Sequence, residues 1–163
     1  MPGTTFVENH FHHRRVATGI RRAIAKCAGL GGGIAALRLR PDDFAAHQAV
    51  AILLGQSGRL DDAVTHLRAA VKLRPTAADA HSNLAYALAL RREFEAAIRA
   101  GREAVRLAPE SATARNNLGF ALLEHGETAP AIAEFREAVR LQPEFNQAQK
   151  NLAEALAKLP GEK

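Results

Sequence analysis

Four prolines, Pro41, Pro75, Pro109 and Pro143, stand 34 residues apart. Each closes a similar phrase: Leu37-Arg38-Leu39-Arg40-Pro41, Val71-Lys72-Leu73-Arg74-Pro75, Val105-Arg106-Leu107-Ala108-Pro109 and Val139-Arg140-Leu141-Gln142-Pro143. A fixed period of this length implies a stack of small supersecondary units rather than one globular topology, because each unit alone leaves an apolar face uncovered. Other columns keep the same step. Leu84, Leu118 and Leu152 follow Val50, while Ala63, Ala97, Ala131 and Ala70, Ala104, Ala138 form two alanine columns.

Within each period the apolar spacing is helical. Val50, Ala51 and Leu54, like Leu84, Ala85 and Leu88, mark one face of a helix by the i, i+1, i+4 rhythm. A break follows near Gly58, Arg92 or Gly126. A second helix then starts, with Asp61 and Asp62 in one first turn and Pro130 early in another, where a missing N–H is harmless. Proline disfavours helix in the residue before it, so each Leu-x-Pro is a stop. Every unit thus reads as helix A, a tight turn, helix B and a proline stop. An aromatic content of 5%, with no Trp, suits packed helices better than strands.

These residues resemble the tetratricopeptide repeat family. Counting Phe44 as repeat position 1 gives three units, 44–77, 78–111 and 112–145. Position 7 is Val50, Leu84 and Leu118; position 8 is Ala51, Ala85 and Gly119; position 11 is Leu54, Leu88 and Leu122. Alanine holds positions 20 and 27 throughout, and proline holds position 32. The chain departs from the family pattern at position 4, where His47, His81 and Arg115 replace tryptophan, and at position 24, where Gly101 stands between Leu67 and Phe135. The resemblance implies an all-α fold, a right-handed α-α superhelical solenoid of antiparallel helix pairs. Small side chains at positions 20 and 27 let helices approach to roughly 8–10 Å. Gly101 predicts a looser second repeat, unless a large neighbour such as Phe94 or Phe120 fills the gap.

Residues 146–159 continue the register as a helix A, with Asn151, Leu152, Ala153 and Leu156 at positions 6, 7, 8 and 11. Lys150, Glu154 and Lys158 are expected to wet the outer face of this capping helix, and 160–163 form a tail. At the other end, 1–11 reads as a disordered tail and 12–43 as a basic N-terminal helix and degenerate repeat or cap. Within it the reading is a helix at about 12–28, a turn at Gly29 and Gly31–Gly33, and a short helix at about 34–40.

The net charge of +5 belongs to the first 40 residues, which carry +6, whereas residues 41–163 carry −1. The repeats therefore give no general argument for nucleic acid, and no nucleic-acid partner is expected. A basic helix at 12–28, with Val16, Ile20, Ala23, Ile24 and Cys27 on its apolar side, is an alternative membrane contact. The stripe is small and weakly apolar, which favours a structural cap. Lys26 interrupts any secretory h-region, so a cytoplasmic location is expected. One cysteine excludes an internal disulfide.

Catalytic motifs are missing: Gly31–Gly33 lacks the Lys-Ser/Thr of a phosphate loop, and no nucleophile elbow or HExxH occurs. No enzyme activity, cofactor or metal is expected. His10, His12 and His13 sit beside Arg14 and Arg15, which would repel a cation. The resemblance implies instead that helix A lines a concave groove through positions such as 5, 6, 9 and 13. The expected partner-binding residues are Gln48, Ile52, Ser82, Asn83, Tyr86, Asn116, Asn117, Phe120, Lys150, Asn151 and Glu154. Asn83, Asn117 and Asn151 would form a ladder of amides able to pair with the backbone of an extended peptide, or they would serve helix packing. Tyr86 and Phe120 would grip apolar side chains, and position 13 supplies Leu90 and Glu124.

Chaperone-binding members of the family clamp a terminal carboxylate at slots held here by Gln48, Ile52, Asn83, Thr113 and Asn117, of which only Asn83 matches. On helix B, Arg68, Arg102, Arg136 and Lys72, Arg106, Arg140 recur as a basic stripe interleaved with glutamates, which reads as a solvated face. The expected function is a scaffold or adaptor for a protein or extended peptide. The alternatives are a recruiting module of a larger enzyme or assembly system and a membrane-peripheral scaffold. Weak self-association is a further expected contact.

Overall fold

The computed structural model describes residues 30–159. The tail at 1–11, the basic helix at 12–28 with its membrane face, Cys27, the His10–His13 run and the 160–163 tail lie outside the described residues. Eight helices run through what is described: α1 Leu30–Leu39, α2 Phe44–Gln56, α3 Leu60–Leu73, α4 Ala78–Leu90, α5 Phe94–Leu107, α6 Ala112–His125, α7 Thr128–Leu141 and α8 Asn146–Ala157. Helices α2, α4, α6 and α8 begin 34 residues apart, and so do α3, α5 and α7.

The A-to-B turn is one motif made three times. After α2 the Arg59 N–H bonds the Leu54 carbonyl at 2.9 Å and the Gly58 N–H bonds the Gly55 carbonyl at 3.1 Å. After α4, Glu93 to Leu88 and Arg92 to Ala89 repeat this, as do Glu127 to Leu122 and Gly126 to Leu123 after α6. These bonds satisfy carbonyls that the helix end would otherwise leave unpaired, and they need one left-handed residue. That residue is Gly58 (φ 77°), Arg92 (φ 65°) or Gly126 (φ 94°). Each B helix ends in an extended residue before proline, namely Arg74, Ala108 or Gln142. Asp43 and Ser111 cap α2 and α6 by accepting from the Ala46 and Ala114 N–H groups.

The chain divides into two compact units, Met1–Thr76 and Ala77–Lys163. In the first, α1 and α3 both pack on α2. Val50, Leu54, Val64 and Leu67 are buried there, with Ala63 and Ala70 at the close approaches. In the second, α4 pairs with α5 and α6 with α7, α5 lies against α6, and α7 against α8. The A helices α4, α6 and α8 also pack in a row. Ala97, Ala104, Ala131 and Ala138 are fully covered, and Phe145 closes a cluster with Ala112, Ala138 and Ala148.

Three sequence expectations need correction. The glycines at 31–33 lie inside α1, which starts at Leu30 rather than at 34. The absent side chain at Gly33 admits Val50, whose Cγ2 lies 2.5 Å from where a β-carbon would stand, so packing outweighs poor helix propensity. The second repeat is not loosened by Gly101. Leu118 fills the gap, its Cα and Cβ each 3.2 Å from the missing β-carbon, and not Phe94 or Phe120. The face of α8 is only partly wet. Lys150, Glu154 and Lys158 are exposed as expected, but Leu156 and Leu159 are 40% and 42% exposed. Among the described residues no helix is long and apolar enough to cross a membrane.

Candidate partner-binding surface

The row α4–α6–α8 carries most of the residues expected to bind a partner, and it sorts them into two layers. The inner layer is polar and buried. Asn83, Asn116, Asn117 and Asn151 are 2%, 0%, 0% and 8% exposed. Asn117 Nδ2 donates to Ser82 Oγ at 2.9 Å and to the Ser82 carbonyl at 3.2 Å. Asn116 Nδ2 donates to Asn117 Oδ1 at 3.4 Å, and Asn151 Nδ2 donates to Asn116 Oδ1 at 2.9 Å. Gln147 Nε2 completes the chain by donating to Asn151 Oδ1 at 2.8 Å.

For Asn117 and Asn151 this chain of amides follows the helix-packing alternative rather than the open ladder. Asn117 spends both amide protons on Ser82, one helix away, and Asn151 reaches Asn116 in the same manner. Each bond joins position 5 of one repeat to position 6 of the next. A buried amide must find a partner, and here the partners are neighbouring helices.

The outer layer stands at positions 9 and 13. Tyr86 and Phe120 meet in a tilted pair with ring centroids 5.3 Å apart, Tyr86 buried and Phe120 half-buried. Leu90, Glu124 and Glu154 are exposed, and Glu154 accepts a 2.9 Å ion pair from Lys158. Lys150 is exposed at position 5 of α8. In the first unit, Gln48 and Ile52 are both buried in α2 and present almost no surface.

Position 4 carries a role that composition did not reveal. His47 Nε2 pairs with the Pro41 carbonyl at 2.9 Å, Arg115 Nε donates to the Pro109 carbonyl at 3.0 Å, and Gln149 Nε2 donates to the Pro143 carbonyl at 2.6 Å. His47, Arg115 and Gln149 are thus polar clasps on the proline stop six residues back. The sequence signal was a nitrogen donor at every position 4 combined with an invariant proline.

On the B helices, Arg106 makes two bonds to Glu103, at 2.8 and 2.6 Å, and Arg140 makes two to Glu137, both 2.8 Å. The bonded guanidinium holds each carboxyl below its ordinary value. The basic stripe is therefore interrupted by paired carboxylates, as a solvated face would be. Among the described residues no group of three or more His, Cys, Asp or Glu is placed to hold a metal ion.

Comparison with known proteins bears on the scaffold. The tetratricopeptide repeat family model matches residues 49–112, 92–144 and 116–160. The structure is similar to a crystal structure of MamA, with 23% identity, a TM-score of 0.70, and coverage of 90% of this chain and 85% of that one. It is also similar to the Arabidopsis OM64 tetratricopeptide domain (21% identity, TM-score 0.66, covering 71% and 96%). A third likeness is the first such domain of Spaghetti (RPAP3), solved bound to the HSP90 peptide SRMEEVD (18% identity, TM-score 0.65, covering 70% and 90%). No curated protein sequence matches the chain. With its 34-residue period, helix pairs and matched repeats, the chain belongs to the tetratricopeptide repeat family, whose fold is the right-handed α-α superhelical solenoid of antiparallel helix pairs.

Proposed function

We propose that the chain is a non-catalytic interaction scaffold, and that the outer layer of the α4–α6–α8 row takes a peptide or protein segment. One observation carries this reading: Phe120 stays half-buried and Leu90 exposed while the amides beneath them are spent between helices. An aromatic edge over a rigid polar floor offers apolar contact without reordering, which is where binding energy concentrates. Lys150, Glu124 and Glu154 then act as rim charges that orient the partner. Tyr86 supports the Phe120 ring from behind. The similarity to a domain solved with a chaperone peptide supports a peptide ligand in kind. The clamp for a terminal carboxylate is not part of the proposal, because Gln48, Thr113 and Asn117 stand where it needs cations.

The test is affinity capture with the intact chain, compared with Leu90→Ala/Phe120→Ala and with Asn83→Ala/Asn117→Ala. The outer-layer variant is expected to stay folded and lose its partner, whereas the inner-layer variant loses stability first. Unchanged recovery by a folded Leu90→Ala/Phe120→Ala protein would move the site elsewhere.

A further inference from the structure

Helices α2 and α3 are strapped together by two imidazoles. His47 Nδ1 and His66 Nδ1 lie 2.9 Å apart, with ring centroids 5.1 Å apart and planes tilted by 45°. The Pro41 carbonyl, 2.9 Å from His47 Nε2, can only accept, so His47 carries its proton on Nε2. The Nδ1 of a neutral His47 is then a lone pair, and His66 donates to it from Nδ1.

The third repeat closes the same two positions differently. There Arg115 Nη1 donates to Glu134 Oε2 at 3.0 Å, 19 residues on, as His66 is 19 residues on from His47. Arg115 also clasps its proline carbonyl, as His47 does. One repeat thus builds the strap from an ion pair with a fixed donor and acceptor, the other from two imidazoles whose ring nitrogens can each donate or accept.

Proton counting gives the consequence. One added proton leaves a single N–H between the two Nδ1 atoms, so the strap survives. A second puts an N–H on both, and these then face each other across 2.9 Å with two positive charges side by side. The surroundings supply little relief. Asp62, one turn before His66 on α3, is tied to Arg59 at 2.7 Å, and Asp43 is tied to Arg40 at 2.7 Å and to the Ala46 N–H. Asp42 and Lys72, of opposite sign, line an open cleft of about 610 Å³ with His47, Pro41, Ala69 and Leu73, which gives water access to the His47 ring.

We infer that His47 and His66 form a pH-sensitive strap in the first unit, closed at neutral pH and opened in mild acid, where α2 loosens from α3. Burial, and then the charge of His47, hold His66 below the ordinary imidazole value, with Asp62 opposing. A ring held low in the folded state binds fewer protons than in the unfolded chain. The strap's contribution is therefore full above about pH 6.5 and is lost as pH falls from there toward the folded value.

The test is amide exchange of the intact chain at pH 7.5 and 5.5, with rates corrected for intrinsic chemistry, and α6 and α7 as internal reference. Protection in α2 and α3 is expected to fall by about tenfold relative to α6 and α7. His47→Arg/His66→Glu, which transplants the strap of the third repeat, is expected to abolish that fall. Should this variant not fold, His66→Asn keeps a neutral donor and serves the same purpose. An equal loss of protection in wild type and variant, or none in wild type, overturns the proposal.

Discussion

The ring of Phe135 occupies the space that a β-carbon on Gly119 would need: such an atom would stand 2.7 Å from Cε1 and 2.8 Å from Cδ1. Phe135 is fully buried, so its ring has nowhere to retreat. The first repeat holds Ala51 and Leu67 at the same two positions, trading a larger residue on helix A for a smaller one on helix B. Gly119→Ala is expected to destabilise by about 1–3 kcal/mol despite alanine's better helix propensity. Gly119→Ala/Phe135→Leu, which copies the first repeat, should recover much of that loss. Urea unfolding of the two variants decides it, and equal midpoints would refute the packing account.

Arg92 adopts φ 65° at a turn where its counterparts are Gly58 and Gly126. A side chain in the left-handed region costs roughly 1–2 kcal/mol, partly offset by the greater unfolded freedom of glycine and by the guanidinium 5.8 Å from the Phe94 ring. Arg92→Gly is therefore expected to stabilise by about 0.5–1 kcal/mol. A lowered thermal midpoint would show that the Arg92–Phe94 contact outweighs the backbone strain.

Asn117→Ala is expected to cost about 1–3 kcal/mol, because the Ser82 hydroxyl and carbonyl and Asn116 lose a partner inside the protein. The same change at the exposed Glu124 should leave the unfolding midpoint unmoved. If both variants unfold alike, the amide chain contributes nothing to stability.

Position 4 offers a graded test. Gln149 shows that an amide reaches the proline carbonyl, so His47→Gln should preserve the clasp on Pro41 while His47→Ala removes it. The alanine variant is expected to be less stable by about 1 kcal/mol at pH 7.5. Identical denaturation curves would mean that the carbonyl is equally well served by water.

The succession of helix pairs was legible because prolines, alanines and left-handed turn residues recur at one period, and each acts locally. What escaped depends on contacts between elements. Four glycines near residue 30 suggested a turn because propensity counts only the chain itself, whereas Gly33 answers to Val50. Gly101 looked like a void because the gap was sought in its own repeat, whereas Leu118 comes from the next. Asn116, Asn117 and Asn151 looked open because helical periodicity marks a polar face without telling whether water or another helix lies beyond it. The clue was a polar side chain at position 5 followed 35 residues later by asparagine at position 6, as in Ser82–Asn117 and Asn116–Asn151.

The buried amides also act as an address. Helices of nearly the same sequence could dock in the wrong order, since alanine and leucine surfaces scarcely distinguish one neighbour from another. A helix bearing Ala49 at position 6 has no amide to offer Ser82, and a slip of one residue would strand Asn117 and Asn151 together. Each stranded amide costs roughly 1–3 kcal/mol, against a folding free energy of only about 5–15 kcal/mol for a whole domain. The asparagines thereby write the order of assembly into the interior of α4, α6 and α8, where leucine alone would leave the copies interchangeable.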